Sequence, residues 1–253
     1  MDLGLAGRVY IVTAATRGLG FASARELAAE GAHLVITGRE KESVAEAVDA
    51  LGGPERVEGV VADNAAPDTA ERLVGAALSR FGRLDGLLVS VGGPAAGTAL
   101  ATPESAWRDA FESVFLGALR LARAAADVLT EGGAIGFVLS GSAREPIAGL
   151  AVSNGLRPGL AMTAKTLAAE LGPEGIRVFG LLPARIDTER VQHLDGLSAD
   201  PAATRAAHEA SIPLRRYGRP EEFGRVAAFT LSPAASYLTG VMIPVDGGAL
   251  HGI

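Results

Sequence analysis

Ser153 and Arg157 stand four residues apart in AVSNGLRPGLAMTAK (151–165). On a helix that spacing puts a hydroxyl and a guanidinium on one face. Such a pair can hydrogen-bond a substrate oxygen and hold positive charge beside it. Leu160, Thr163, Ala164 and Leu167 follow at helical spacing. Gly155, Pro158 and Gly159 oppose a helix in the same stretch. If the helix has formed by Asn154, Pro158 breaks one backbone bond at a cost of ~3 kcal/mol. The stretch therefore predicts either a kinked first turn or regular helix beginning near Arg157–Pro158. The delayed start would take Ser153 out of line with Arg157.

A second group of residues has the chemistry to hold phosphate. The apolar run RVYIVTA (8–14) leads into TAATRGLG (13–20) and then a helical pattern. Backbone N–H groups at a helix start attract anions, and Gly18 and Gly20 allow close approach. The next apolar run ends at Thr37-Gly38-Arg39. An acid there would accept the ribose 2′-hydroxyl of NAD, whereas an arginine suits a 2′-phosphate. Arg17 can add a second guanidinium to the same phosphate. The pairing predicts NADP(H) in preference to NAD(H).

The elements that must position these residues alternate along the chain. Strand-like runs fall at 8–14, 32–38, 57–63, 84–92, 134–141, 177–184 and 241–248. They are continuously apolar, as strands buried on both faces are. Helical patterns lie between them, near 18–30, 40–51, 68–81, 104–129, 155–171 and 219–231. Thr102-Pro103-Glu104 marks a helix start. This βαβ order predicts one doubly wound α/β domain over 1–253, a mainly parallel seven-stranded sheet with helices on both faces. The least regular part, about 185–215, is expected to be a lid beside the strand carboxyl ends.

Composition narrows the function. Hydrophobic residues make up 48% and charged residues 21%, enough for a large core. A net charge of −6 argues against nucleic acid. With no cysteine there is no thiolate nucleophile or thiolate metal site, and the four histidines are scattered, so no metal is expected. Neither a signal peptide nor a membrane span is legible, so a cytoplasmic protein without a membrane partner is expected. Ser142 lacks the G-x-S-x-G context of a hydrolase nucleophile. Tyr10 reads as core, and Tyr217 and Tyr237 as packing or interface residues. Lys165 reads as a solvated face or subunit contact, and His193 belongs to the expected lid.

Taken together the chain resembles the short-chain dehydrogenase/reductase family over nearly all of its length. TAATRGLG is similar to the family's cofactor turn T-G-x-x-x-G-x-G, with Ala14 for the first glycine. The resemblance thus assigns Thr13, Ala15, Arg17, Gly18, Leu19 and Gly20 to the cofactor. Asp63 and Asn64 in VVADNA stand where the family meets adenine, and Gly92 alone survives of its N-N-A-G strand end. LLPARIDT (181–188) resembles the P-G-x-x-x-T segment beside the nicotinamide, which adds Pro183, Ile186 and Thr188. GRPEEFGRVAAF (218–229) and YLTGVMIPVDGG (237–248) are close to family endings.

The family's chemistry rests on Ser, Tyr, Lys and Asn. Aligned on KTLAAEL (165–171), the Tyr position is Ser153 and the Lys position is Arg157. The Ser, thirteen places back from Ser153, is Ser140, and the Asn position is Val114. The resemblance implies a Rossmann-type oxidoreductase, similar to 3-oxoacyl reductases, acting on a small carbonyl or alcohol with Ser140, Ser153 and Arg157 as its atypical catalytic set. The alternative is a cofactor-binding homologue without turnover, serving as a partner subunit or sensor. The family habit of assembly implies a homo-dimer or homo-tetramer.

Overall fold

The computed structural model describes residues 2–252. The apolar runs form β1 (Val9–Val12), β2 (His33–Gly38), β3 (Val57–Val61), β4 (Gly86–Val89), β5 (Ala134–Val138), β6 (Arg177–Pro183) and β7 (Val241–Val245). They pair in the order β3-β2-β1-β4-β5-β6-β7, every pair parallel. The helices are α1 (Gly18–Ala29), α2 (Lys41–Ala50), α3 (Thr69–Phe81), α4 (Glu104–Ala110), α5 (Gly117–Ala126), α6 (Ala151–Leu171), α7 (Glu189–Gly196), α8 (Pro201–Ser211) and α9 (Pro220–Leu231). The doubly wound α/β architecture is as expected.

Successive residues of a strand serve opposite faces. In β1, Val9 and Ile11 join Leu73, Leu121, Phe137 and Leu160 in one core. Tyr10 and Val12 join Leu27, Ile36, Phe179 and Phe223 in the other. This two-sided burial is why the runs carry no polar alternation, and each such side chain contributes ~1.5–3 kcal/mol. β1 and β4 are neighbours although two strands, β2 and β3, separate them in sequence. At that reversal of strand order a crevice opens beyond the strand carboxyl ends.

A buried charge closes the back of the molecule. Arg177, at the start of β6, is 5% exposed. Its guanidinium donates to the carbonyls of Thr230 (2.7 Å), Leu231 (3.2 Å) and Ser232 (2.9 Å). These carbonyls at the carboxyl end of α9 have no later helical N–H to accept from, and the helix dipole there favours a cation.

Three expectations are corrected. The delayed start of α6 is wrong, because helix runs without interruption from Ala151 through Pro158 to Leu171. Tertiary bonds offset the missing proline N–H. Ala151 donates to the Gly97 carbonyl (3.1 Å). The Asn154 amide both accepts from and donates to the Ile147 backbone, each bond 2.9 Å. Gly155 is needed where it stands, since a Cβ there would lie 2.7 Å from the Trp107 ring. The helix expected over 104–129 is unbroken from Glu104 to Ala126 but is not regular, since a π-helical turn over Phe111–Leu116 joins α4 to α5. The 185–215 segment, expected to be irregular, holds the two helices α7 and α8.

Ala14 carries φ +46°, in the left-handed region that suits glycine. The strain costs ~1–2 kcal/mol, part of which a glycine would return as greater unfolded-state freedom. Ala14→Gly should therefore raise the thermal midpoint, by up to ~1 kcal/mol of stability. An unchanged or lower midpoint in calorimetry would show that the turn does not strain Ala14.

Candidate active site

A cleft of about 1300 Å³ occupies the crevice beyond β1, β2, β4, β5 and β6. One hydroxyl shapes its floor. Thr13 Oγ1 donates to the Ser90 carbonyl (2.5 Å) and accepts from the Ser90 N–H (2.9 Å) and the Asn64 amide (3.3 Å). Asn64 also donates to the Ser90 carbonyl (3.0 Å). The chain ends leaving β1, β3 and β4 are thus tied together. Ala14 N–H donates to Thr37 Oγ1 (3.0 Å) and Ala15 N–H to the Thr37 carbonyl (2.8 Å), which ties in β2.

α1 opens into the cleft. Its N-cap residue Arg17 supplies no capping side chain, and its first turn holds no acid. The first N–H groups are therefore left for an anion. Gly18, Leu19 and Gly20 line this wall. A Cβ on Gly20 would collide with the Ala14 carbonyl, so the turn closes only with glycine there. Arg39 is exposed at the rim, and no carboxylate pairs with it among the described residues. Arg17 faces Glu189 of α7 at 3.6 Å across the mouth, with both side chains more than 70% exposed. Asp63, Asn64, Gly92, Pro183, Ile186 and Thr188 also line the cleft. Thr13 and Ala15, assigned to the cofactor by resemblance, are instead fully buried behind its wall. They hold the turn rather than face a ligand.

At the inner end, Ser153 and Arg157 both line the cleft from α6. They are 6% and 4% exposed. Arg157 Nη1 donates to the Val138 carbonyl at the end of β5 (2.7 Å), and Nε is buried with no partner. Burial lowers the Arg157 pKa to about 10, so the side chain remains charged near neutral pH. Ser140 lies in extended backbone and caps the 3₁₀ turn Gly141–Ala143, its Oγ accepting from Ser142 N–H (3.1 Å). Its O–H is left to donate into the cleft. Ser142 Oγ meets Ser153 Oγ at 2.9 Å, both buried. The sequence offers Ser142 only as a hydrolase nucleophile without the right context, and its one signal for this role is its place two residues after Ser140. Val114 is 2% exposed within the π-helical turn and offers no hydrogen bond. Among the described residues no tyrosine or lysine lines the cleft. Tyr10 is buried in the sheet and Tyr237 is fully exposed. Lys165 donates to the Gly240 carbonyl (3.1 Å).

α7 is held by a charged network. Arg185 donates to Asp195 (2.8 Å) and to His208 Nε2 (2.8 Å). Tyr217 O–H donates to the other Asp195 oxygen (2.8 Å). Burial, then the bond to Asp195, raises the Tyr217 pKa to about 12. Arg190, which also lines the cleft, donates to the Pro94 carbonyl (2.7 Å). Among the described residues no group of three or more His, Cys, Asp or Glu is placed to hold a metal, and no helix is long and apolar enough to cross a membrane.

Comparison with known proteins places this geometry. A family model described as Enoyl-(Acyl carrier protein) reductase matches residues 13–250. Dehydrogenase/reductase SDR family member 2, mitochondrial, of Homo sapiens is 35% identical, covering 96% of this chain and 86% of that protein. A short-chain dehydrogenase/reductase from Brucella melitensis superposes with a TM-score of 0.93 at 30% identity over 100% of both chains. The L-sorbose reductase of Gluconobacter frateurii, complexed with NADPH and L-sorbose, superposes at 0.91 and 30% identity, again over 100% of both chains.

Two outcomes follow from these charges. Arg157→Met should raise the thermal midpoint of the ligand-free protein, because it removes a buried cation that has one hydrogen bond and no counter-ion. A lowered midpoint would mean that the guanidinium stabilises the fold. For His208, burial and then the Arg185 charge lower the pKa below 6.5. Below pH 6.5 the unfolded chain takes up a proton that the folded chain resists, so the contribution is complete above 6.5 and is lost as pH falls. Urea titrations on either side of this pH should show the decline in wild type and a shallower one in His208→Gln. The slope is bounded at ~1.4 kcal/mol per pH unit for one proton.

Proposed function

The chain belongs to the short-chain dehydrogenase/reductase family of oxidoreductases, and from that premise we propose that it is an NADP(H)-dependent enzyme acting on a small carbonyl compound or alcohol through a site without a tyrosine. The carrying observation is the uncapped start of α1, opening into the cleft between two guanidiniums. The residues present fit a phosphorylated dinucleotide. The α1 N–H groups receive its diphosphate, and Arg39 with Arg17 receives its 2′-phosphate in an otherwise acidic protein. Arg17 then exchanges its exposed contact with Glu189 for the phosphate. Such a surface pair is worth at most ~1 kcal/mol, so the exchange is easy. Asp63 serves the adenine side, and Pro183, Ile186 and Thr188 the opposite end.

When bound, the cofactor supplies or receives the hydride. The chain's own residues do the rest. Ser140 donates its O–H to the substrate oxygen. Ser153, taking a hydrogen bond from Ser142, donates a second. Arg157 holds positive charge beside the oxygen where negative charge develops, or meets the ribose hydroxyls. A serine hydroxyl is a poor acid, so the proton is drawn from water in the cleft by way of Ser153, which Ser142 holds in place. Oriented donors of this kind are worth ~3–4 kcal/mol to a developing oxyanion, whereas a positioned acid adds ~10²–10⁴-fold in rate. This site keeps the first contribution and gives up most of the second. Helices α7 and α8 act as the lid that shuts out water.

The second reading, a cofactor-binding homologue without turnover, draws on the absence of any cleft tyrosine or lysine among the described residues. Single-turnover oxidation of bound NADPH across a carbonyl panel separates the two. In fluorescence titrations NADPH should bind more tightly than NADH. Arg39→Ala should weaken NADPH by ~10–100-fold, the worth of one or two charge-assisted hydrogen bonds, with NADH nearly unaffected. Equal affinity for the two nucleotides in wild type would overturn the assignment of NADP(H).

A further inference from the structure

We propose that the substrate is an oxo acid, its carboxylate held by Arg190 of α7 while its carbonyl oxygen faces Ser140, Ser153 and Arg157. The proposal rests on the oxidoreductase reading and adds the class of substrate.

The inner end of the cleft is positively charged and uncompensated. Arg157 is buried with one carbonyl partner and an orphaned Nε. A cation in that position costs free energy unless a ligand supplies acceptors. Arg190 is half-buried on α7 and reaches across to the loop beyond β4, where it donates to the Pro94 carbonyl (2.7 Å). Its Nε lies 3.2 Å from the place a Cβ on Gly93 would take. One donor is thus engaged, and the remaining fork stays available at the cleft wall.

The carboxylates lining the cleft do not neutralise this end. Glu112 pairs with Arg120 (3.0 Å) and Glu189 faces Arg17 (3.6 Å). Asp63, beyond β3, accepts from Ala65 N–H (2.9 Å). Asp109 is exposed on α4 and pairs with neither arginine. His193, also at the wall, adds no negative charge. Two guanidiniums, each with one carbonyl partner and no carboxylate, therefore line the same cleft in a chain of net charge −6. A neutral ketone would satisfy neither. A carboxylate matches the planar fork of Arg190 in bidentate fashion, and the carbonyl a bond or two away falls to the serines and Arg157. Because Arg190 rides on α7, seating the acid also draws that helix onto the site.

Two measurements test this. In NADPH-dependent turnover, pyruvate and acetoacetate should exceed their methyl esters in kcat/KM by at least about tenfold, the worth of one charge-assisted contact. Arg190→Gln should lower that acid-to-ester ratio towards one. Independently of turnover, oxamate, an unreactive carboxylate, should raise the unfolding midpoint of the NADPH-loaded protein where ethyl oxamate does not, and Arg190→Gln should abolish the difference. Equal turnover of acids and esters, or equal shifts by oxamate and its ester, would overturn the oxo-acid assignment while leaving the oxidoreductase reading intact. If NADPH itself fails to bind, that reading fails. The oxamate titration on the unloaded protein then decides this proposal: stabilisation lost in Arg190→Gln sustains it, and none in wild type refutes it.

Discussion

One hydroxyl group holds the cleft open. Thr13 Oγ1 gives one hydrogen bond and receives two, and through Ser90 and Asn64 it joins the ends of three strands that are far apart in sequence. A parallel sheet sends all its strand ends the same way, so those ends compete for one crowded surface. Each needs its last polar groups satisfied without capping by a following strand. Thr13 does this from a fully buried position, which leaves the α1 N–H groups uncommitted just above it. The ligand-facing surface is therefore made of backbone and glycine, while the side chain assigned to the cofactor by resemblance works behind it.

The opposite wall is built on a different balance. Arg177 and Arg157 are both buried arginines, yet they are treated differently by their surroundings. Arg177 is wrapped by carbonyls at a helix carboxyl end, where the dipole favours it. Arg157 has one carbonyl and an orphaned N–H. The first belongs to the architecture of β6 and α9. The second carries an unmet demand for acceptors, and it lies at the cleft. Two buried residues of the same type are thus told apart by their hydrogen-bond inventory, one satisfied within the fold and the other not.

How far the sequence reveals this molecule depends on how local each signal is. The seven strands are legible because each is a short apolar run with its own helix attached, and β1 to β7 fall within the expected segments. The start of α6 is not, because the bonds that carry helix through Pro158 come from Gly97 and Ile147, outside the helix itself. The π-helical turn at Phe111–Leu116 leaves no mark in periodicity, since it adds one residue inside an otherwise regular pattern. Ser153 and Arg157 share a face as their spacing implies. Ser142 escapes because a hydroxyl two residues beyond the aligned position looks like a bystander until the 3₁₀ turn aims it at Ser153. Arg190 escapes for a stronger reason. Its meaning lies in a contact with Pro94, 96 residues away.

On the reading proposed above, the residues that stand where the resemblance puts the family's catalytic set make physical sense together rather than singly. In the family the resemblance points to, a lysine cation makes a neighbouring tyrosine acidic. Once the tyrosine is a serine, there is no phenol left to tune, and a cation that readily loses its proton when buried becomes a liability. Arginine keeps its charge in the same burial, with a pKa still about 10 in Arg157. The shorter side chain of Ser153 meets Ser142 Oγ at 2.9 Å. Val114, where the resemblance puts the family's Asn, is buried in the π-helical turn and leaves no polar group there unsatisfied. A buried cation with an orphaned N–H, an uncapped α1 and an arginine on α7 without a carboxylate partner thus line one cleft, and it is on this unbalanced positive charge that the proposed negatively charged ligand rests.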